Sequence, residues 1–529
     1  MEGPTTTAGD ANARFKRPSL ATAAAIVAAG FLASRLLGVL RSVAIAVSFG
    51  DSPELGAYWV AFRLPDLVFQ LLAGATLASA FIPTFTRLVT KQSEEEAWRL
   101  ASSVLNLILG ATIVLSILGF IFAPILVPAM APGLSERDLA IELTRIMMIS
   151  PILFAVSGMF MGILNARHHF LFPAFAPVFY NIAIIIGVLA FDGVYALSIA
   201  VVIGASLHLL VQVPALAMVN MVYSPVARWR DAAVREVGKL MAPRVLGLAA
   251  VQFNFLITIF FASTISDQAI SAVNFAFLIM MTPLGLFGMA ISTAVFPTMA
   301  EQAIDDRTEF RRTLEQSLKL ILFLTIPASL GLMMLSEPLV ALIFQYGEWT
   351  EAATDITQAA LTFYAIGLFA LAAIEILSRG FYALGDTRTP VLFAVAALVI
   401  NLILSAALVG PLEVRGLALA VSLATVVEAG LLFAALRTRL GGIDLPAIAR
   451  SLWQTLLSAV LMVEVIGFYL ILLHKADRLD TANFIDSLLA VAGSTVLGAL
   501  AYLAVARALR SEEFETLYSR VPFLGRARA

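Results

Sequence analysis

About fourteen stretches of mainly apolar residues run along the chain, and they constrain its fold more than any other feature. A helix needs roughly 20 such residues to cross the hydrocarbon core of a bilayer. Of the 529 residues, 60% are hydrophobic and 13% charged, whereas soluble domains are about half apolar and a quarter charged. We therefore predict an all-α polytopic membrane protein. The predicted spans are 20–48, 55–86, 98–129, 138–164, 172–192, 194–222, 242–266, 268–299, 314–335, 352–381, 389–410, 414–437, 448–473 and 484–508.

The distribution of basic residues predicts the orientation of these spans, because Lys and Arg accumulate on the cytoplasmic side. Of the 34 Lys and Arg residues, 26 belong to the N-terminus, the even-numbered connections and the C-terminal tail, when residues within six positions of a span end are counted with the adjoining connection. The odd-numbered connections, counted in the same way, hold four, and four more lie deeper inside spans. This asymmetry predicts an even number of spans with both termini in the cytoplasm.

An internal repeat predicts two similar halves. Residues 74–85 are similar to residues 288–299, at an offset of 214, and Pro124 and Pro338 share that offset. The repeat unit holds six spans, so both copies have the same orientation, as in some transporters. We predict two parallel-repeat six-helix lobes plus two C-terminal helices. The predicted divisions are an N-terminal cytoplasmic tail 1–19, an N-lobe 20–222, a basic cytoplasmic linker 223–241, a C-lobe 242–440, helices 13 and 14 in 441–510, and a cytoplasmic tail 511–529.

Three arginines inside the first two spans are candidate ligands for an anionic headgroup. Arg35 and Arg41 share the first span, and Arg63 lies in the second. Charged groups in hydrocarbon are costly and usually face a cavity, and the planar guanidinium binds two phosphate oxygens at once. The alternative is structural: Arg63 pairs with Asp66 at i,i+3, while the other two arginines snorkel or bond carbonyls.

Acidic residues inside spans are candidate coupling or structural groups. Glu375, Glu428 and Glu464 lie in the tenth, twelfth and thirteenth predicted spans, and Asp66 lies in the second. A carboxyl group in such a place can carry a coupling proton. Alternatively, each acid lies near an interface or bonds a hydroxyl side chain.

Several activities lack the residues that they need. The chain has no cysteine and four histidines, so thiolate metal sites are excluded and a histidine metal site has little material. It has no GxxxxGK[ST] loop for ATP, and no nucleophile elbow. A net charge of −2 argues against a nucleic-acid binder. We expect no metal, no cofactor, no ATP, no nucleic acid and no enzymatic activity.

Short motifs in order along the chain are similar to those of one family. The segments Ser34-Arg-Leu-Leu-Gly-Val-Leu-Arg41 and Val60-Ala-Phe-Arg-Leu-Pro-Asp-Leu67 resemble signatures of the MurJ (MviN) lipid II flippases. Further matches are Ala80–Pro83, Pro173–Pro177, Phe344–Gly347 and Gly380–Tyr382 with Asp386. This family belongs to the multidrug/oligosaccharidyl-lipid/polysaccharide exporter superfamily.

The resemblance implies a monomeric, multi-pass flippase of the inner (plasma) membrane, in contact with membrane lipids. Its partner is lipid II, the undecaprenyl-diphosphate-linked peptidoglycan precursor, moved to the outer leaflet by alternating access. The last two helices form a groove for the lipid tail. By the same resemblance, Arg35 and Arg41 match two cavity arginines, and Arg63 matches a basic position of the second helix.

Three positions depart from the family pattern. The family usually has charged residues where this chain has Phe69, Leu278 and Met281. The departures leave two alternatives open. One is a transporter of another lipid-linked oligosaccharide or of an amphipathic small molecule. The other is a degenerate homologue that does not transport.

Overall fold

The structure, a computed structural model, describes residues 20–72, 75–91 and 93–520. The predicted tail 1–19, residue Gly74 of the repeat and residues 521–529 of the C-terminal tail lie outside these ranges. Within them the chain is helical and contains no strand. The helices are α1 Leu20–Phe49, α2 Pro53–Leu72, α3 Ala75–Lys91, α4 Glu94–Met130, α5 Arg137–Met147, α6 Ser150–Ala166, α7 Leu171–Ala190, α8 Val194–Leu210, α9 Val213–Met218, α10 Ala232–Ile265, α11 Asp267–Pro283, α12 Ala290–Asp305, α13 Arg307–Met334, α14 Ser336–Phe344, α15 Glu351–Ala365, α16 Leu368–Ala383, α17 Arg388–Arg439, α18 Leu445–Lys475, α19 Phe484–Leu488, α20 Ser494–Ala508 and α21 Glu512–Arg520.

The described helices confirm an all-α, multi-pass membrane architecture. Ten helical segments are long and apolar enough to cross a bilayer, and the bent pair α15 and α16, which meet at 46°, makes eleven. The predicted number of about fourteen spans is compatible with these segments, because some segments contain more than one predicted span.

Helix α17 is the clearest such segment. Its 52 residues correspond to about 78 Å of helix, more than twice the hydrocarbon thickness. Glu413 interrupts it with φ 51° and ψ −129°, close to Pro411. Gly416 packs against the carbonyl of Leu408 so closely that a Cβ would overlap it. The chain therefore reverses here, between the predicted spans 389–410 and 414–437.

Breaks also occur within other spans. The helix α11 ends at Pro283, and a π-helical turn, Leu284–Met289, connects it to α12. A second π-helical turn, Leu489–Gly493, connects α19 to α20. Proline and π-helical turns free backbone groups that neighbouring helices must satisfy.

Large apolar side chains cover much of the surface. Leu36 is 67% exposed, Ile125 65% and Leu189 65%. A soluble protein rarely exposes apolar area on this scale. These side chains fit contact with lipid.

The chain divides into two compact units. Unit 1 comprises residues 20–44, 64–121 and 145–245 of the described chain. Its core includes Phe85, whose ring lies 5.1 Å from that of Phe81 and 5.4 Å from that of Trp98.

Unit 2 comprises residues 45–63, 122–144 and 246–520 of the described chain. Two segments from the first half of the sequence thus belong to a core built mainly from the second half. Leu55, Ala57 and Val60 are completely buried in it.

Three contacts hold those segments within unit 2, and we call them the outer seam. The N–H of Glu348 donates to the carbonyl of Val47 over 2.9 Å. The N–H of Gly133 donates to Ser263 Oγ over 3.3 Å. The N–H and hydroxyl of Ser135 both donate to Asp267, the former over 3.2 Å. By the predicted orientation, the seam lies at the outer ends of the spans.

Glycine makes the closest of these approaches feasible. Gly50 and Gly347 have φ of +56° and +59°, which residues with a Cβ rarely adopt. A Cβ on Gly50 would overlap the carbonyl of Glu348, and one on Gly347 would overlap that of Val47. The contact between Val47 and Glu348 therefore depends on two glycines that let the backbones pack without intervening side chains.

Candidate functional site

Arg41 lies against an aromatic cluster in unit 1. It is half-buried on α1, and its guanidinium carbon lies 5.8 Å from the ring centroid of Tyr180 on α7. Tyr180 in turn packs edge-on against Phe154 of α6, at 5.3 Å. A cation over an aromatic face is stabilised by the ring quadrupole. The stacking fixes the guanidinium while leaving its in-plane donors for an anion.

Phe69 belongs to the same cluster. Its ring lies 4.8 Å from that of Phe154. The position at which the family usually has an arginine is therefore occupied here by an aromatic packing residue. Of these two positions on α1 and α2, Arg41 carries the charge and Phe69 supports the rings behind it.

Arg35 has a different environment. It is exposed on α1, and its guanidinium carbon lies 5.1 Å from the ring centroid of Phe31 on the same helix. About 600° of helical rotation separates it from Arg41, so the two side chains point roughly 120° apart. Gly38, between them, has no heavy atom within 4 Å of an added Cβ. The structure therefore gives the two arginines separate contacts.

A cavity of about 400 Å³ lies within unit 2. It is lined mainly by apolar side chains, and it contains three of the predicted site residues, Arg63, Glu375 and Glu428. Apolar cavities with a few convergent polar groups are typical of ligand sites. The sequence predicted each of these three residues separately, and the structure brings them to one cavity.

Arg63 is held from two sides in this cavity. Its Nη2 donates a hydrogen bond to Asn274 Oδ1, and its guanidinium carbon lies 4.8 Å from the ring centroid of Phe255. The Asn274 amide is itself oriented, because its Nδ2 donates to the Ile270 carbonyl over 2.7 Å. Asn274 is thus fixed with its oxygen towards the arginine.

The two acids have different surroundings. Glu375 Oε2 lies 3.5 Å from Arg379 Nη2 at i,i+4 on α16. Arg379 Nη1 also donates to Thr293 Oγ1 over 2.8 Å. Glu428 lines the cavity from the second half of α17. The cavity therefore holds the cationic side chain of Arg63 from α2 and the anionic side chains of Glu375 from α16 and Glu428 from α17.

Two other predicted acids lie elsewhere. Asp66 is half-buried in unit 1, where Gln70 Nε2 donates to it over 3.4 Å. Glu464 is exposed on α18 and is not among the residues that line the cavity. Neither Asp66 nor Glu464 is among the residues that line the cavity with Glu375 and Glu428.

Uncharged polar residues complete the lining of the cavity, and no sequence motif predicts their position there. Asn254, Asn274, Tyr364 and Thr425 all line it. Asn254 Oδ1 accepts a hydrogen bond from Asn401 Nδ2 over 2.9 Å. The available signal was asparagine within apolar spans, because a buried amide requires partners.

The part of the chain that the structure describes contains no candidate metal site. No group of three or more His, Asp or Glu side chains in it is placed to hold an ion. The guanidinium groups of Arg41 in unit 1 and of Arg63 in unit 2 each suit an anion instead. The chemistry that these two guanidinium groups support is the binding of an anionic ligand.

A family model for "Lipid II flippase MurJ" matches residues 45–486. The chain belongs to the MurJ family. The match includes Arg63, Glu375 and Glu428, and it begins after Arg35 and Arg41.

Individual MurJ relatives cover most of the chain. The lipid II flippase MurJ of Burkholderia cenocepacia is 32% identical over 431 residues, or 79% of this chain and 84% of that protein. A probable lipid II flippase MurJ of Bdellovibrio bacteriovorus is 29% identical over 518 residues, or 95% and 97%.

Solved structures show the same architecture. A lipid II flippase MurJ in an inward closed conformation aligns with a TM-score of 0.77 and 25% identity, covering 94% of this chain and 99% of that one. A multidrug transporter of the MATE family in an inward-facing conformation aligns with a TM-score of 0.64, covering 77% and 94%. At 17% identity, the second likeness shows a shared fold alone.

Proposed function

We propose that this protein is a lipid II flippase, which moves the undecaprenyl-diphosphate-linked peptidoglycan precursor to the outer leaflet by alternating access. The observation that carries the proposal is the placement of Arg63. It is a guanidinium inside a predicted span, oriented by Asn274 and Phe255, and it faces a cavity in unit 2 of a MurJ-family chain. A guanidinium binds the oxygens of a diphosphate in a bidentate manner.

The three arginines have graded roles in this proposal. Arg41 and Arg63 bind the headgroup, because aromatic rings position both guanidinium groups. Arg35, exposed on α1, attracts the anion at a distance. Glu375 and Glu428 set the charge of the cavity, and Asp66 and Glu464 have structural roles.

Alternating access gives the outer seam a function. Its contacts tie residues 45–63 and 122–144 to the remainder of unit 2. They must separate before a headgroup can leave on the outer side.

The proposal includes the predicted organisation. The N-lobe is 20–222, the C-lobe 242–440, and helices 13 and 14 in 441–510 hold the lipid tail. The protein acts as a monomer in the inner membrane, with both termini in the cytoplasm. It needs no ATP, since the membrane potential supplies about 2.3 kcal/mol per elementary charge per 100 mV.

Complementation tests the proposal most directly. Cells depleted of their own flippase should grow when they express this chain, and R41A and R63A should each abolish rescue. R35A should weaken rescue without abolishing it, and R437A, at an exposed arginine, is the matched control that should retain rescue. Failure of the well-expressed wild-type chain to rescue would overturn the proposal.

A second candidate is a transporter of another lipid-linked oligosaccharide. One residue of the cavity favours this second candidate. Met281, one of the three positions that depart from the family pattern, lines the cavity wall with an uncharged side chain. Mass spectrometry of the lipid that co-purifies with the protein separates the two. Lipid II supports the first candidate, and an undecaprenyl-linked glycan without the pentapeptide supports the second.

A further inference from the structure

His208 lies at a break in a membrane-spanning helix of unit 1. It is in the last turn of α8, which ends at Leu210, and α9 begins three residues later at Val213. The side chain is 8% exposed. Fourteen residues, or about 21 Å of helix, separate it from the start of α8. An ionisable residue at such depth is costly and usually functional.

Three buried polar groups fill this break. Ser157 Oγ lies 2.6 Å from His208 Nδ1 and 3.2 Å from the His208 carbonyl oxygen. Gln212 Nε2 donates to Ser157 Oγ over 2.6 Å and to the same carbonyl over 2.9 Å. Ser157 and Gln212 are completely buried.

This geometry accommodates both the neutral and the protonated imidazole. When Nδ1 is unprotonated, Ser157 donates its hydroxyl proton to it. When Nδ1 gains a proton, the imidazolium donates to Ser157 Oγ, and the hydroxyl turns to donate to the His208 carbonyl. Ser157 then accepts two hydrogen bonds and donates one, which is its full capacity. No hydrogen bond is lost in either state.

The ionisable groups around His208 lie on several helices. Arg41 of α1 and Asp66 of α2 act electrostatically on Tyr180, which belongs to the same aromatic cluster as His208. The helices that pack most closely against α8 are α6, α7 and α9. In these described helices, Tyr180 of α7 is the one ionisable side chain, and α8 itself adds Tyr195. The C-terminal end of α8 carries a partial negative charge, which favours a cation there. No carboxylate lies on these four helices to hold the imidazole in one state.

A path of aromatic rings connects His208 to Arg41. The His208 ring lies 5.3 Å from Phe154, Phe154 lies 5.3 Å from Tyr180, and Arg41 stacks on Tyr180. An anion held by Arg41 lies three ring contacts from His208, and across this low-dielectric cluster it favours a second positive charge there. Linkage then requires that protonation of His208 strengthens anion binding equally.

We propose that His208, with Ser157 and Gln212, is a proton-binding site coupled to the anion site at Arg41. The proton comes from water and forms an N–H bond at Nδ1, and no electron transfer is involved. This inference rests on the proposed function, because it takes the anion at Arg41 to be a lipid-linked diphosphate. It adds a proton to the transport cycle.

Histidine NMR tests the site itself. The full-length protein has four histidines, so the spectrum of H208N in ¹⁵N-histidine-labelled protein assigns the His208 signal. We expect this signal to titrate, and its midpoint to move to higher pH when undecaprenyl diphosphate is added. R41A should abolish the movement. A His208 signal that does not titrate, or a midpoint that ignores undecaprenyl diphosphate, would overturn the proposal.

Transport in proteoliposomes tests the consequence. With fluorescent lipid II, we expect the wild-type rate to change at least fivefold between pH 5.5 and 8, and H208N to lose this dependence. H168N is the matched control, since His168 is exposed at φ 62°, which asparagine tolerates. H208N with a wild-type pH profile would also overturn the proposal.

The two tests separate the two proposals. If lipid II is not moved at any pH while the NMR midpoint responds to undecaprenyl diphosphate, the lipid II assignment fails and the proton site stands. If lipid II is moved but H208N behaves as wild type, the lipid II assignment stands and the proton site fails.

Discussion

Asp267, the first residue of α11, accepts hydrogen bonds from both the backbone N–H and the hydroxyl of Ser135. The two residues are 132 positions apart and belong to the outer seam. D267A removes the acceptor for both donors, which costs about 1–3 kcal/mol. We expect this loss to favour the state in which the seam is open, about tenfold or more.

Cysteine labelling measures this shift, because the chain has no native cysteine. S263C places a thiol in the seam at a position that is 2% exposed. We expect D267A to raise its labelling by a membrane-impermeant maleimide about tenfold. D138N, at a neighbouring exposed acid, should leave labelling unchanged. Equal labelling in all three backgrounds would contradict a gating role for the seam.

Restoring the family's arginine at position 69 should fail to improve transport. F69R removes an aromatic contact with Phe154 and places a second cation in the cluster that holds Arg41. We expect a loss of about 2–4 kcal/mol of stability from packing and charge burial. Thermal unfolding in detergent checks this, and F69L should be milder. Wild-type stability in F69R would show that the cluster has room for two arginines.

The C-terminal helix α21 should depend on one buried lysine. Lys319 Nζ lies 2.7 Å from Glu512 and 3.9 Å from Glu513, whose side chain is 4% exposed. K319M leaves Glu513 buried without its cation, and we expect a loss of about 3–5 kcal/mol. The double variant K319M/E513L should recover part of it. E515Q, at an exposed position of the same helix, serves as the control.

A carboxylate outside the membrane should contribute stability that depends on pH. Burial opposes ionisation of Asp386, but donors from Thr389, Arg439 and the Arg388 backbone hold its pKa to about 2. The ordinary value is 3.8. The stabilisation is therefore complete above pH about 4 and is lost as the pH falls towards 2.

The D386N variant isolates this contribution. At pH 7 we expect it to unfold more easily than the wild type by about 1 kcal/mol, the scale of a helix N-terminal cap. The difference should shrink as the pH is lowered from 5 to 3. A difference that is constant over this range would mean that the charge of Asp386 has no part in it.

The sequence could predict the helical architecture because apolar length and basic loops report directly on the bilayer. It could not predict that Arg63, Glu375 and Glu428 share a cavity, because that depends on how helices far apart in sequence pack. The six-residue spacing of Arg35 and Arg41 predicts that their side chains point about 120° apart on one helix. The structure gives them different aromatic partners, Phe31 and Tyr180.

Most of the site residues that the sequence did not predict are uncharged and polar. Asn274 and Ser157 have no charge to mark them in an apolar span. Their importance comes from the partners that they orient, Arg63 and His208. Only the three-dimensional arrangement shows that Asn274 orients Arg63 by accepting its hydrogen bond. It also shows that the Ser157 hydroxyl lies within hydrogen-bond distance of both Nδ1 and the carbonyl oxygen of His208.

The contact between Val47 and Glu348 also has a consequence for biosynthesis. The two residues are 301 positions apart, and ribosomes add about 5–20 residues per second. The end of the first span therefore waits about 15–60 s for its partner after it has been synthesised. Leu55, Ala57 and Val60 are completely buried in the folded protein, but during that interval their partners have not yet been synthesised. Lipid, the insertion machinery or a chaperone must then cover these side chains.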